Sequence, residues 1–193
     1  MITENNFPTM IYIKDFPDSE KLNKYLEDHI MRWSQNDKGV SKTNAGGWHS
    51  ETNMNTKKEY NPLTTELFNM QEEIYQKEKL NRKPVLGNMW ANINYPGCFN
   101  RPHIHPNSLF SGVYFIKTPK NSGNFMIYDP RPGVQMAMPS RKKEQLQSEL
   151  WREIHYEPVA GRCIMFPSWL WHEVKPNQSN EIRISVSFNF LQR

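Results

Sequence analysis

Between two prolines the chain carries Pro102-His103-Ile104-His105-Pro106. Proline fixes φ and disfavours helix at the residue before it, so Arg101 to His105 is predicted to be extended. Side chains alternate along a strand, putting His103 and His105 on one face about 7 Å apart along the backbone, the reach of two ligands on one metal ion. His172 stands far downstream in Ile164-Met165-Phe166-Pro167-Ser168-Trp169-Leu170-Trp171-His172-Glu173-Val174-Lys175-Pro176. A histidine is an odd choice for packing there, because it brings two ring nitrogens that both need partners. An isolated HxH also arises by chance on exposed strands, but the bracketing prolines and a third imidazole favour a metal-binding face.

The surrounding sequence has strand character. From Lys83 onward the pattern has period two and turn residues crowd in. Candidate strands are Val85 to Tyr95, Arg101 to His105, Leu109 to Lys117, Asn124 to Tyr128, Ile154 to Pro158, Arg162 to Pro167, His172 to Lys175 and Arg183 to Phe190. Short strands broken by Pro, Gly and Asn predict an antiparallel sandwich or barrel, with a jelly roll fitting best. In Arg183-Ile184-Ser185-Val186-Ser187-Phe188-Asn189-Phe190 the polar members share one face, which must line either solvent or a polar cavity.

Upstream, Pro8 to Lys14 has strand composition, and Leu22, Tyr25, Leu26, Ile30 and Trp33 form a helical stripe, predicting a helix over 19–34. Ser34 to Lys58 is rich in Asn, Ser, Thr and Gly and is expected to be largely loop. Leu63, Leu67, Met70, Ile74 and Leu80 mark a second helix, with Pro62 near a favoured first-turn position. The expected fold is a single domain, mainly β with flanking helices, in which residues 1–82 buttress a jelly-roll core formed by 83–193. The charged segment Gln135 to Trp151 reads as an insertion beside the site and a candidate lid.

Composition narrows the class. Of 193 residues, 37% are hydrophobic and 12% aromatic, enough for a core and against disorder. The net charge of +4 is scattered, and clusters such as Arg141-Lys142-Lys143 are mixed with acids, so no nucleic-acid partner is expected. Two cysteines, Cys98 and Cys163, do not make a secreted disulfide framework. No apolar run approaches the ~20 residues that span a bilayer, and no signal segment opens the chain, so a cytoplasmic protein without a membrane partner is expected. Exposed jelly-roll edges make a homodimer reasonable.

Several separated blocks, in order, resemble a known family. They are Asn88-Met89-Trp90-Ala91-Asn92-Ile93-Asn94-Tyr95-Pro96-Gly97, His103-Ile104-His105 with Ser111-Gly112-Val113-Tyr114, Tyr128-Asp129-Pro130-Arg131, Phe166-Pro167-Ser168-Trp169-Leu170-Trp171-His172, and Arg183-Ile184-Ser185-Val186-Ser187-Phe188-Asn189. Together they look like the 2-oxoglutarate/iron(II)-dependent oxygenases of marine bacteria and their cyanophages. The resemblance is strong over 85–190 and weak at Pro8 and Gly46-Gly47-Trp48-His49. It implies a double-stranded β-helix, a cupin-like jelly roll holding Fe(II), that couples O2 and 2-oxoglutarate decarboxylation to hydroxylation of an unidentified small-molecule or protein substrate.

In the wider superfamily iron is held by His-x-Asp/Glu and a distal His. Transferred here, His103 and His172 are the imidazoles and His105 stands in the carboxylate's place. Alternatively Asp129 supplies the missing carboxylate, although an Asp before Pro also commonly starts a turn. The resemblance gives Arg183 the distal carboxylate of 2-oxoglutarate, which its planar fork suits, with Ser185 two residues on adding a donor. Asn94, Asn100 and Tyr114 are candidate hydrogen bonders around the co-substrate, and Trp90, Tyr114, Trp169 and Trp171 candidate walls of an aromatic pocket. His49 reads as structural, His29 and His155 as ordinary exposed or capping residues, and Cys163 as core.

Rival readings stay open. Gly97 before His103-x-His105, and Gly161 and Pro167 before His172, match parts of a cupin signature, yet Leu109 and Phe110 stand where cupins carry an acid. Three imidazoles also make catalytic zinc sites. An inactive jelly roll is the third possibility.

Overall fold

Two layers of antiparallel strands face each other in a computed structural model that describes residues 1–133, 136 and 152–191. In chain order the elements are β1 (Tyr12–Asp15), α1 (Ser19–Gln35), β2 (Asn44–Ala45), β3 (Trp48–His49), two 3-10 turns (Met54–Thr56 and Lys58–Tyr60), α2 (Asn61–Lys77), β4 (Leu86–Asn94), β5 (Phe99–His103), β6 (Ser108–Lys117), β7 (Phe125–Tyr128), β8 (Glu153–Tyr156), β9 (Arg162–Pro167), β10 (His172–Val174) and β11 (Arg183–Leu191). The larger sheet runs β1-β9-β6-β11-β4-β3 and the smaller β2-β5-β10-β7-β8. This is the double-stranded β-helix.

The alternation in β11 sets the layering. Ile184, Val186, Phe188 and Phe190 face the helices, joining Leu26 and Ile30 of α1 and Leu63, Leu67, Met70 and Ile74 of α2 in one core. Each such side chain contributes about 1.5–3 kcal/mol on full burial, which is what holds the helices to the sheet. A smaller cluster, Val113, Phe115, Ile164 and Phe166 with Phe125, Ile127 and Leu170, fills the space between the sheets. Arg183, Ser185 and Asn189 are buried on that inner face, so the polar side of β11 faces the space between the sheets rather than solvent.

Several boundaries differ from expectation. The polar stretch contains β2 and β3, two-residue strands too short to leave a periodic signal. Gly47 carries the chain from one sheet to the other at φ 71°, and a Cβ there would sit 2.4 Å from the Ile93 carbonyl, so only glycine fits. β5 begins at Phe99 and ends at His103, leaving His105 beyond the strand. Leu80 lies past α2 and is exposed. The proposed insertion, Gln135 to Trp151, falls outside the described residues apart from residue 136. No described helix is long and apolar enough to cross a membrane.

Candidate metal centre

β10 lies between β5 and β7, and its register places His172 opposite His103 on one side and Ile127 on the other. His105 follows the strand end, where its backbone N–H donates to the Ser168 carbonyl at 2.9 Å, tying the segment to the β9–β10 turn. Ring centroids are 4.2 Å apart for His103 and His172, 4.8 Å for His103 and His105, and 5.0 Å for His105 and His172. One ligand atom from each lies within 4.8 Å of the others. Among the described residues no other His, Cys, Asp or Glu cluster could hold a metal ion.

The rings are oriented for ligation. His103 Nδ1 lies 2.7 Å from the Arg101 carbonyl and His172 Nδ1 lies 2.8 Å from the Leu170 carbonyl. A carbonyl can only accept, so Nδ1 carries the proton and Nε2 keeps its lone pair, the arrangement of metal-binding imidazoles. Phe166 packs 4.6 Å and Phe125 5.7 Å from the His172 ring, and Trp90 lies 5.6 Å from His105. Burial lowers the pKa of all three histidines, and mutual repulsion of the rings adds to it for His172 and for His105, which falls to about 3. All three are therefore neutral at neutral pH, and an arriving cation meets lone pairs rather than protons.

Asp129 does not join them. Its carboxylate is taken by Arg131, whose Nε lies 3.0 Å from Oδ1 and Nη2 2.6 Å from Oδ2, while the Arg131 backbone N–H donates to Oδ1 at 3.0 Å. That ion pair holds Asp129 below its ordinary pKa and closes a turn. The expectation that Asp129 completes the ligand set is thus corrected. Asp129→Ala is expected to leave one Fe(II) bound per chain with unchanged affinity, as measured by metal titration.

Arg183 opens β11 opposite Asn94 and is fully buried. Its Nη1 donates to the Ser122 carbonyl and, at 3.2 Å each, to those of Gly123 and Lys175, while Nε and Nη2 have no partner. Burial pushes the guanidinium down to about 10, which still leaves it charged near neutrality. A buried cation with one edge unsatisfied is expensive, and Nε with Nη2 is the fork that takes a carboxylate through two parallel bonds. The residues present therefore fit an anionic co-substrate beside a cation.

The other expected site residues separate. Ser185 is buried on the inner face between Asn92 and Phe115 in register, and Asn94 donates to Asn100 at 3.5 Å. Tyr114 is a correction: its hydroxyl donates to Asn23 Oδ1 at 2.7 Å and its ring stacks on Phe16 at 5.1 Å, on the helix side of the sheet. Trp169 and Trp171 are 55% and 51% exposed and do not enclose a pocket, whereas Trp90 is buried. His49, read from sequence as structural, is buried and stacks on Trp90. Its signal was the Gly46-Gly47-Trp48-His49 resemblance, too weak to place it.

The chain matches no curated protein. Among solved structures it is similar to a Pseudomonas putida prolyl-4-hydroxylase, at 17% identity and TM-score 0.68 over 96% of this chain and 94% of that one. It is also similar to the collagen prolyl hydroxylase of Paramecium Bursaria Chlorella virus-1, at 14% identity and TM-score 0.61 over 93% and 94%, and to the epimerase SnoN of nogalamycin biosynthesis, at 13% and 0.68 over 95% and 77%. At these identities the likeness establishes the fold. The family model described as "Putative 2OG-Fe(II) oxygenase" matches residues 88–189, more than half the chain, and with the iron-compatible triad the protein belongs to this family of oxidoreductases, which use Fe(II), 2-oxoglutarate and O2.

Proposed function

We propose that this chain is a hydroxylase in which His103, His105 and His172 hold Fe(II), and Arg183 with Ser185 holds the distal carboxylate of 2-oxoglutarate. When bound, iron and co-substrate reduce O2, release succinate and CO2, and deliver one oxygen atom to a substrate C–H bond. The chain's own part is positioning and exclusion. Phe125 and Phe166 wall the His172 side against water. The Leu170 and Arg101 carbonyls hold the rings in their ligating tautomer.

Charge supports the assignment. Three neutral imidazoles leave a divalent ion its full charge, and Arg183 adds another positive charge on the facing sheet, so a dianion is the favoured partner. Asn94, paired with Arg183 and buried, steadies that end of the cavity. The observation that carries the reading is the unpartnered Nε–Nη2 edge of a fully buried arginine, which a dicarboxylic co-substrate would satisfy.

Likeness to two prolyl hydroxylases makes a prolyl peptide the first substrate to try, with free amino acids next. The test begins without O2. Fe(II) and 2-oxoglutarate together are expected to give a weak visible charge-transfer band, and admission of O2 to release succinate in step with 2-oxoglutarate loss. Metal binding without that band would instead point to cupin or zinc chemistry.

A further inference from the structure

The paired strands β3 and β4 carry, on their inner face, two acceptors that the functions assigned above leave unused. β3 pairs with β4 so that His49 lies beside Asn92 and Trp48 beside Ile93. Trp48 and Ile93 belong to the core under the helices, so His49 and Asn92 project the opposite way, into the barrel. They are 3% and 4% exposed. The His49 ring stacks on Trp90 at 5.6 Å and 12°, and Trp90 lies 5.6 Å from His105, so rings run from His49 to the triad without a break.

Both groups accept. His49 Nδ1 lies 2.6 Å from the Ser50 carbonyl, which requires the proton on Nδ1 and leaves Nε2 with its lone pair. Burial lowers the pKa of this imidazole and keeps it neutral. Asn92 Nδ2 donates to Ser187 Oγ at 3.3 Å, while its Oδ1 is buried with no partner at all. Unpaired buried acceptors are rare because they cost stability, so one on the inner face, on the strand whose Trp90 ring reaches the triad, is best explained by a ligand. With Nδ2 committed to Ser187, the free Oδ1 calls for a donor and disfavours a carboxylate.

We propose that Asn92 Oδ1 and His49 Nε2, beside the Trp90 ring, form the subsite for the primary substrate and receive a hydroxyl or N–H group that it carries near the carbon to be oxidised. The proposal rests on the oxygenase reading and names the substrate class: a polar molecule recognised as a hydrogen-bond donor. His49 and Asn92 are positioning and specificity residues here, distinct in role from Arg183; Asn92 stands opposite Ser185 in register, and co-substrate affinity separates the two roles.

Asn92→Leu and His49→Phe keep shape and remove the acceptors. In the full chain loaded with Fe(II) and 2-oxoglutarate, Asn92→Leu is expected to raise the midpoint of thermal unfolding by about 3 °C, because an unpaired acceptor is gone. A fall would mean that the amide serves the fold, and would overturn the proposal. Titration of the anaerobic band is expected to give wild-type affinity for 2-oxoglutarate in both variants. A loss of about 10-fold or more would assign the pair to the co-substrate cradle and overturn it, whereas a wild type that forms no band removes the oxygenase reading beneath it. Succinate release is then measured over the protein amino acids, the nucleosides and a prolyl peptide. A donor-bearing compound is expected to stimulate wild type and to lose about 10-fold of that stimulation in both variants. Equal stimulation in the variants, or none in wild type across the set, would overturn the assignment.

Discussion

His172→Ala is expected to weaken Fe(II) binding by more than about 100-fold and to bring 2-oxoglutarate turnover to background. Loss of a group that merely orients a ligand costs about 10- to 100-fold in metal affinity, and loss of a ligand itself must exceed that. The effect is concentrated at this position because His172 is the most buried of the three rings, in ladder register with His103 and walled by Phe125 and Phe166. The substitution also leaves a ring-sized space in a packed wall, so some stability is lost with the ligand. Exogenous imidazole separates the two effects. Millimolar imidazole is expected to restore part of the iron binding and turnover without restoring the melting temperature. Stoichiometric iron at wild-type affinity in His172→Ala would refute the triad.

Arg183→Gln is expected to raise the 2-oxoglutarate concentration for half-maximal turnover by about 100-fold while leaving Fe(II) affinity within a factor of about two. Each charge-assisted bond from the free Nε–Nη2 edge contributes about 1.5–3 kcal/mol, and glutamine cannot replace both. Because Nη1 also ties down the Ser122, Gly123 and Lys175 carbonyls, the folded fraction is checked by circular dichroism. Arg183→Lys keeps the charge and loses the fork, so its affinity is expected to fall between the two. Unchanged co-substrate affinity in Arg183→Gln would remove the anchor.

Much of this was legible in the sequence, for reasons that differ by element. β11 could be read because its faces contrast, and burial of Arg183 confirms that the polar side looks inward. Val113-Tyr114-Phe115-Ile116 has no such contrast, so nothing told which side Tyr114 faces, and it was placed at the co-substrate when it belongs under α1. The His103-Ile104-His105 pair was found through strand alternation, yet the strand stops at His103 and His105 is held by a turn from a distant part of the chain. Asp129 failed as a ligand because its local partner, Arg131, outcompetes anything across the barrel. His49 could not be aimed from sequence because a two-residue strand has no period, and only pairing with Asn92 turns it inward.

The uneven mounting of the three imidazoles has a kinetic consequence. Two of them sit across a ladder and cannot part without unzipping the smaller sheet, while His105 hangs past the strand end on one amide tether to Ser168. Capture and release of the ion can therefore proceed by swinging a single arm on a preset two-pronged seat. The lifetime of the loaded state is therefore expected to follow that hinge, and to shorten when the residues flanking His105 are made freer while the barrel is left intact.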